Sequence, residues 1–319
     1  MAVVDVFNGD ADGICALLQM RLDEPLESEL VTGVKRDIQL LGRVRAGAGD
    51  RVNVLDISLQ KNRDELVRLL SGGAEVFYVD HHMSGEIPEH PALFTLIDTD
   101  PETCTSLLVD RHLEGRYRAW ALTAAFGDNL VETARSLGQS SGFSPDELER
   151  MRQLGICINY NGYGETVADL HIPPEQLYRF LMKYRSPLDF VADRESCFER
   201  LRQGYEDDLA RAGQVKPDIE TAGVAVYLLP DQPWSRRVSG VFGNHLANLE
   251  PDRAHAVLTR NRRNGYQVSV RAPLSNRQGA DILCSQFPSG GGRKGAAGIN
   301  HLAGEAYPDF IAAMRKIYG

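Results

Sequence analysis

The apolar residues of the first hundred positions fall in short, nearly unbroken runs, and each run ends on an acid or an imidazole. Val3 to Phe7 leads into Asn8-Gly9-Asp10-Ala11-Asp12-Gly13, Val52-Asn53-Val54-Leu55 into Asp56, and Phe77-Tyr78-Val79 into Asp80-His81-His82. Runs of this length, rich in β-branched and aromatic residues, are the pattern of strands buried on both faces of a parallel sheet. Between them lie stretches at helical spacing, Ile14 to Met20 and Arg63 to Leu70, the second stopped by Ser71-Gly72-Gly73. Leu93 to Ile97 reads as a further strand, and Thr105 to Leu113 and Ala119 to Phe126 as helices, with Gly127-Asp128-Asn129 a turn. Strand and helix alternate, which predicts βαβ units and an α/β fold. The strands of such a sheet deliver their last residues to one edge, so Asp10, Asp12, Asp56, His81 and His82 are expected to converge there.

Beyond this the pattern changes. Residues 140–145 read as a loop, 146–154 as a helix, and Asn159-Tyr160-Asn161-Gly162-Tyr163-Gly164 as a turn-rich connection. A polar helical stretch, 193–212, ends at Gly213 and Pro217 and reads as a connector. The pattern then resumes with a strand from Gly223 to Leu229, a helix over 237–248, strands over 256–260 and 266–271, a helix over 280–286, a glycine-rich loop and a last helix over 308–317. The expected organisation is a catalytic domain over 1–192, a connector helix and linker over 193–217, and a smaller α/β domain over 218–319.

Composition narrows the class. A chain of 319 residues, 43% hydrophobic and 25% charged, is that of an ordinary globular protein long enough for two domains. It has no apolar run of membrane-spanning length, and its start lacks the basic flank of a signal peptide, so a cytoplasmic location without membrane attachment is expected. Five scattered cysteines suggest reduced, mostly buried thiols and no disulfide framework. A net charge of -9 disfavours a broad phosphate-tracking surface but leaves room for a small basic pocket.

The acids carry the candidate chemistry. One of Asp10 and Asp12 can be a helix N-cap, but two acids one residue apart on a tight turn can also aim carboxylates at a common cation. Several convergent carboxylates with a histidine suit Mn2+ or Mg2+, and the absence of cysteine from these strand ends argues against a thiolate zinc site.

Asp10 with Asp12, then Asp56, then Asp80-His81-His82, then Asp128 resemble, in order, the four motifs of the DHH phosphoesterase superfamily. The run Gly290-Gly291-Gly292-Arg293-Lys294-Gly295-Ala296-Ala297-Gly298 resembles the glycine-rich signature of the DHHA1 domain, and Val268-Ser269-Val270-Arg271 the strand before it in oligoribonuclease-like and RecJ-like members. The resemblance implies an N-terminal parallel-sheet DHH domain, a smaller C-terminal DHHA1 domain, and an active site in the cleft between them. It also implies two Mn2+ ions, with Mg2+ as an alternative, bridged by Asp56 and Asp128 and completed by Asp10 on one side and by Asp12 with His81 on the other. His82 would face the substrate phosphate, Asp80 would orient its neighbours, and Arg271, Gly291, Gly292 and Arg293 would bind substrate. The two cations would activate a hydroxide for in-line attack on phosphorus.

Two departures bear on this. Members usually carry an additional His or Asp just before the first acids, where this chain has Val6 and Asn8, which predicts one weaker metal site. They also usually carry a histidine where this chain has Arg293, which can grip phosphate bidentately. The expected function is a manganese-dependent phosphodiesterase acting on short single-stranded oligonucleotides or small phosphorylated nucleotides, with a homodimer left open. The alternatives are a pyrophosphatase- or exopolyphosphatase-like hydrolase, and a catalytically weak nucleotide- or phosphate-binding regulator.

Overall fold

The computed structural model describes residues 2–319, which divide into two compact units, one running up to Gln203 and the other Gly204–Gly319. The first holds strands β1 (Val3–Phe7), β2 (Glu29–Thr32), β3 (Arg51–Leu55), β4 (Glu75–Asp80) and β5 (Leu93–Ile97), with helices α1 (Ala11–Asp23) and α2 (Leu59–Ser71) between them. Helices α3 (Thr105–His112), α4 (Arg118–Gly127), α5 (Val131–Ser140), α6 (Pro145–Gly162), α7 (Pro174–Leu181) and α8 (Pro187–Ala192) follow. Helix α9 (Phe198–Ala212) contains the division between the units.

The five strands pair in parallel in the order β2-β1-β3-β4-β5. From β1 the chain turns outward to β2 and then returns to β3 on the other side of β1. The crevice beyond the carboxyl ends of β1 and β3 is therefore a topological switch point, the place where open α/β sheets build their sites. Val4, Val6, Val52, Val54 and Val76 are buried in the sheet, and Leu59, Leu66, Leu69 and Leu70 of α2 cover one face. One polar residue is buried within β1. Asp5 accepts from Arg21 at 2.6 and 2.8 Å, from Ser28 at 2.6 Å and from Asn53 at 2.7 Å, so its charge is fully matched.

Several elements depart from the sequence expectation for physical reasons. Helix α6 starts at a capping box, Ser144 with Glu147, and runs through Gly162, so Asn159 to Gly162 of the stretch expected as a turn-rich connection form its last helical turn, with Tyr163 and Gly164 beyond it. Tertiary bonds hold that turn, because Asn161 both donates to the carbonyl of Ile172, at 2.7 Å, and accepts from its N–H, at 3.1 Å. Helix α5, whose apolar face is only Val131, Ala134 and Leu137, and strand β2 are absent from the sequence expectation. Strand β2, ELVT, is mostly half-exposed and gains its place only by pairing with β1.

The second unit holds β6 (Ile219–Glu220), β7 (Val224–Leu229), α10 (Pro233–Leu249), β8 (Ala254–Asn261), β9 (Gly265–Arg271), α11 (Ala280–Cys284), β10 (Gly290–Gly292), β11 (Ala296–Ala303) and α12 (Tyr307–Tyr318). Its sheet order is β10-β11-β9-β8-β7-β6, antiparallel except for the β7–β8 pair. The glycine run expected as an open loop is instead a hairpin. Gly290–Gly292 form the edge strand β10, and Arg293 and Ala296 exchange backbone hydrogen bonds at 2.9 and 3.2 Å across the tip. Among the described residues no helix is long and apolar enough to cross a membrane, and all five cysteines are free thiols.

Candidate metal centre

The centre forms where β1, β3 and β4 end. Asp10 is the N-cap of α1, its Oδ1 accepting from the N–H groups of Asp12 and Gly13 at 3.0 and 3.1 Å. The capping alternative thus holds for Asp10. Asp12 looks the other way. Its two carboxylate oxygens accept from the N–H groups of Thr105 and Ser106, at 2.8 and 2.7 Å, at the N-terminus of α3, where the helix dipole favours an anion. Asp56 follows β3 with φ of 59° and accepts from the Thr105 hydroxyl at 3.3 Å.

Asp128 arrives from further along the chain, carried by close helix packing. A Cβ on Gly127 would stand 2.5 Å from that of Ala11, and one on Gly155 would stand 2.0 Å from the Thr123 carbonyl oxygen. Only glycine lets α1, α4 and α6 approach this closely, and the approach sets Asp128 beside the strand ends.

His81 is the hub. Its Nδ1 lies 3.0 Å from the Thr103 carbonyl, to which it donates, and this leaves the lone pair on Nε2. Nε2 lies 3.4 Å from Asp56 Oδ1, 3.8 Å from Asp12 Oδ2 and 3.8 Å from Asp128 Oδ2. Two sets of donor atoms come close enough to hold an ion: Asp12, His81 and Asp128, and Asp56, His81 and His82. Asp80 stands behind them. Its Oδ1 accepts from the backbone N–H of His81 at 2.9 Å and pairs with His82 Nδ1 at 2.7 Å, so it fixes the ring of His82, while the ring of His81 is held by the Thr103 carbonyl. The side chain of His82 is partly exposed, whereas that of His81 is buried.

The charges fit a divalent cation. Burial pushes the Asp12 carboxyl up, and Asp128 and Asp10 add to the push while His81 opposes it. Burial raises Asp56 strongly, reinforced by Asp12 and Asp10. Acids in this state lack enough positive charge to hold them ionised, and a hard or borderline divalent ion on carboxylate and imidazole supplies it. His82 moves in the basic direction. Burial works against its charge, but the charge of Asp80 and its hydrogen bond outweigh burial.

One participant carried no sequence signal. Lys35, in the loop after β2, ion-pairs with Asp10, donates to Asn159 Oδ1 at 3.0 Å and reaches Asp128 Oδ1 at 3.4 Å. It follows a short, ordinary strand and a glycine, with no motif around it. Asp10 therefore faces an ammonium, and it belongs to neither set of donors gathered about His81.

The expected substrate residues lie in the second unit. Arg271, at the end of β9, is held firmly: Nε donates to Asn244 Oδ1 at 2.5 Å, one terminal nitrogen to Ser269 Oγ and the Val270 carbonyl at 3.2 and 3.0 Å, and the other to the Gly240 carbonyl at 3.2 Å. Four of its five N–H groups are engaged, so its direction is set and one donor is left. Residues 271 and 296 are paired across β9 and β11, which brings Arg271 to the hairpin carrying Gly291, Gly292 and Arg293.

No protein-family model and no curated protein matches this sequence. Solved structures do match in shape. An exonuclease RecJ bound to manganese is 18% identical with TM-score 0.61, over 99% of this chain and 89% of its own. A pGpG-specific phosphodiesterase, PggH of Vibrio cholerae, is 15% identical with TM-score 0.53, over 99% of each chain. A DHH-domain protein described as belonging to a family of ribosomal proteins is 13% identical with TM-score 0.61, over 99% of this chain and 86% of its own. The chain thus carries the fold of the DHH-domain proteins along 99% of its length.

Proposed function

We propose that this chain is a divalent-metal-dependent hydrolase of phosphoester bonds, acting on short oligonucleotides or small phosphorylated nucleotides, with Mn2+ as its ion. The observation that carries the reading is the setting of His81, whose Nε2 has carboxylate oxygens of Asp12, Asp56 and Asp128 at 3.4–3.8 Å while its Nδ1 is held by a backbone carbonyl. The shared fold with a manganese-bound RecJ and a pGpG-specific phosphodiesterase points to the same chemistry.

A divalent ion held there supplies Lewis-acid activation of water and neutralises charge on the phosphoryl oxygens. The chain's own groups do the rest. Asp12 and Asp56 are fixed by bonds from α3, so their oxygens need no reorganisation to face an ion. His82, tied through Nδ1 to Asp80, keeps its other nitrogen for a phosphate oxygen. In the second unit, Arg271 has one donor left and Arg293 caps the hairpin, a grip suited to a few phosphates.

The test is a substrate panel of pGpG, pApA, short RNA, short DNA, pAp, pyrophosphate and polyphosphate, each with Mn2+ or Mg2+ and with chelator. Hydrolysis of the linear dinucleotides and short oligomers, dependent on the metal and lost in His81→Ala, is expected. Turnover of pyrophosphate or polyphosphate alone would move the chain to the alternative hydrolase class, and metal-independent turnover would end the reading.

A further inference from the structure

The four carboxylates of the centre, Asp10, Asp12, Asp56 and Asp128, are not all waiting for an ion, because Lys35 already serves two of them. Its side chain is 23% exposed, and its three N–H donors meet acceptors from three separate segments: Asp10 before α1, Asp128 after α4 and Asn159 in the last turn of α6. The ring of Tyr163 lies 5.6 Å from Nζ. The backbone is fastened as well. The N–H of Lys35 donates to the Gly162 carbonyl at 2.8 Å, and its carbonyl accepts from Asn8 Nδ2 at 3.2 Å.

Asn8 matters here because an amide can donate to that carbonyl, whereas a carboxylate at position 8 could only accept. The departure at the first motif and the lysine thus fit one another. Asp128 divides its oxygens, Oδ1 toward Lys35 at 3.4 Å and Oδ2 toward His81 Nε2 at 3.8 Å. It is a carboxylate shared between a fixed ammonium on one side and the His81 donor set on the other.

We propose that the Lys35 ammonium is the second cation of this centre. The chain binds one divalent ion, at Asp12, Asp56, His81 and Asp128, and Lys35 supplies the neighbouring positive charge across Asp128. The inference rests on the metal-centre reading above and deepens it.

Metal counting tests it on the full-length chain, stripped with chelator and titrated with Mn2+, with bound ion measured by equilibrium dialysis and electron paramagnetic resonance. Wild type and Lys35→Arg are expected to bind one Mn2+ per chain with the spectrum of isolated ions. Lys35→Met frees Asp10 and Asp128, and is expected to bind two with the spectrum of a spin-coupled pair. Lys35→Gln provides a second neutral variant if Lys35→Met does not fold. Two coupled ions in the wild type would overturn the inference and leave the phosphoesterase reading standing. A folded neutral variant still limited to one ion would overturn it too, and no bound ion in the wild type would remove both readings.

Discussion

The backbone of Asp56 lies in the left-handed region, at φ of 59°, where aspartate and asparagine fit at less cost than other side chains bearing a Cβ. Asp56→Asn therefore keeps the local geometry while removing the charge. In the metal-free protein the Asp56 carboxyl is held well above its ordinary 3.8, by burial first and then by Asp12 and Asp10. The folded state then keeps a proton that the unfolded state releases, so the stability of the metal-free chain falls as pH rises from about 4 through the raised folded value. Asp56→Asn removes that loss. Thermal unfolding in chelator near neutral pH should rise by about 2–4 °C, while Mn2+-dependent hydrolysis drops by more than the roughly 10–100-fold that loss of an outer partner costs. A metal-free variant no more stable than wild type would contradict the charge argument. His255 in β8 behaves in the opposite sense. It is buried, and burial, with Arg253 adding to it, holds the imidazole down to about 4 from 6.5. The unfolded state binds the extra proton between those values, so stability is lost as pH falls from 6.5 toward 4. His255→Leu should flatten this part of the pH profile, an effect of about 1–3 kcal/mol, read by denaturant unfolding at several pH values.

At the scale of elements, the β10–β11 hairpin separates packing from binding. A Cβ on Gly290 would stand 1.8 Å from the Cys284 carbonyl oxygen, and one on Gly292, where φ is 144°, would stand 2.5 Å from the Ala297 Cα. A Cβ on Gly291 would meet nothing within 4 Å. Packing thus explains two of the three glycines but not the third, for which close approach of a phosphate to the backbone is the expectation. Gly290→Ala should destabilise the second unit by about 1–3 kcal/mol, the range for overpacking. Gly291→Ala should leave stability within about 0.5 kcal/mol of wild type, as for other exposed sites, and raise KM for a dinucleotide. An unchanged KM in Gly291→Ala would remove this strand from the substrate grip. Strands β1, β3, β4 and β5 and helices α1 to α4 of the first unit were plain from hydrophobic runs, whereas β10 and β11 were not, because glycine and alanine carry no periodicity and only pairing with β11 and β9 makes them strands.

At the scale of the whole molecule, charge and substrate length are linked. With 35 basic against 44 acidic residues, a net charge of -9, the chain has no overall excess of basic groups to track a long phosphate backbone. Two or three phosphate contacts, each giving a slope of about -0.7 in log affinity against log salt, imply a total slope of roughly -1.4 to -2.1. Binding of fluorescent single strands of increasing length to the Ca2+-loaded protein should show that shallow slope and little gain beyond a few nucleotides. Affinity that climbs steadily with length and falls steeply with salt would instead describe an extended basic track.

The chain determined by itself that it folds as parallel α/β first and a second α/β unit afterwards, because buried strands of Val, Leu and Tyr leave an unmistakable run in one dimension. It also determined which acids and histidines end those strands, since a parallel sheet brings such ends to one edge whatever the loops between them do. It could not say which partner each carboxylate takes. Asp10 caps α1 and faces an ammonium, Asp12 binds the start of α3, and Asp128 joins them only because Gly127 and Gly155 let three helices close up. Lys35 was silent in sequence because a lone lysine after a short strand is ordinarily a solvated side chain. Its role arises from acceptors at positions 10, 128 and 159, which only the tertiary fold gathers around one nitrogen.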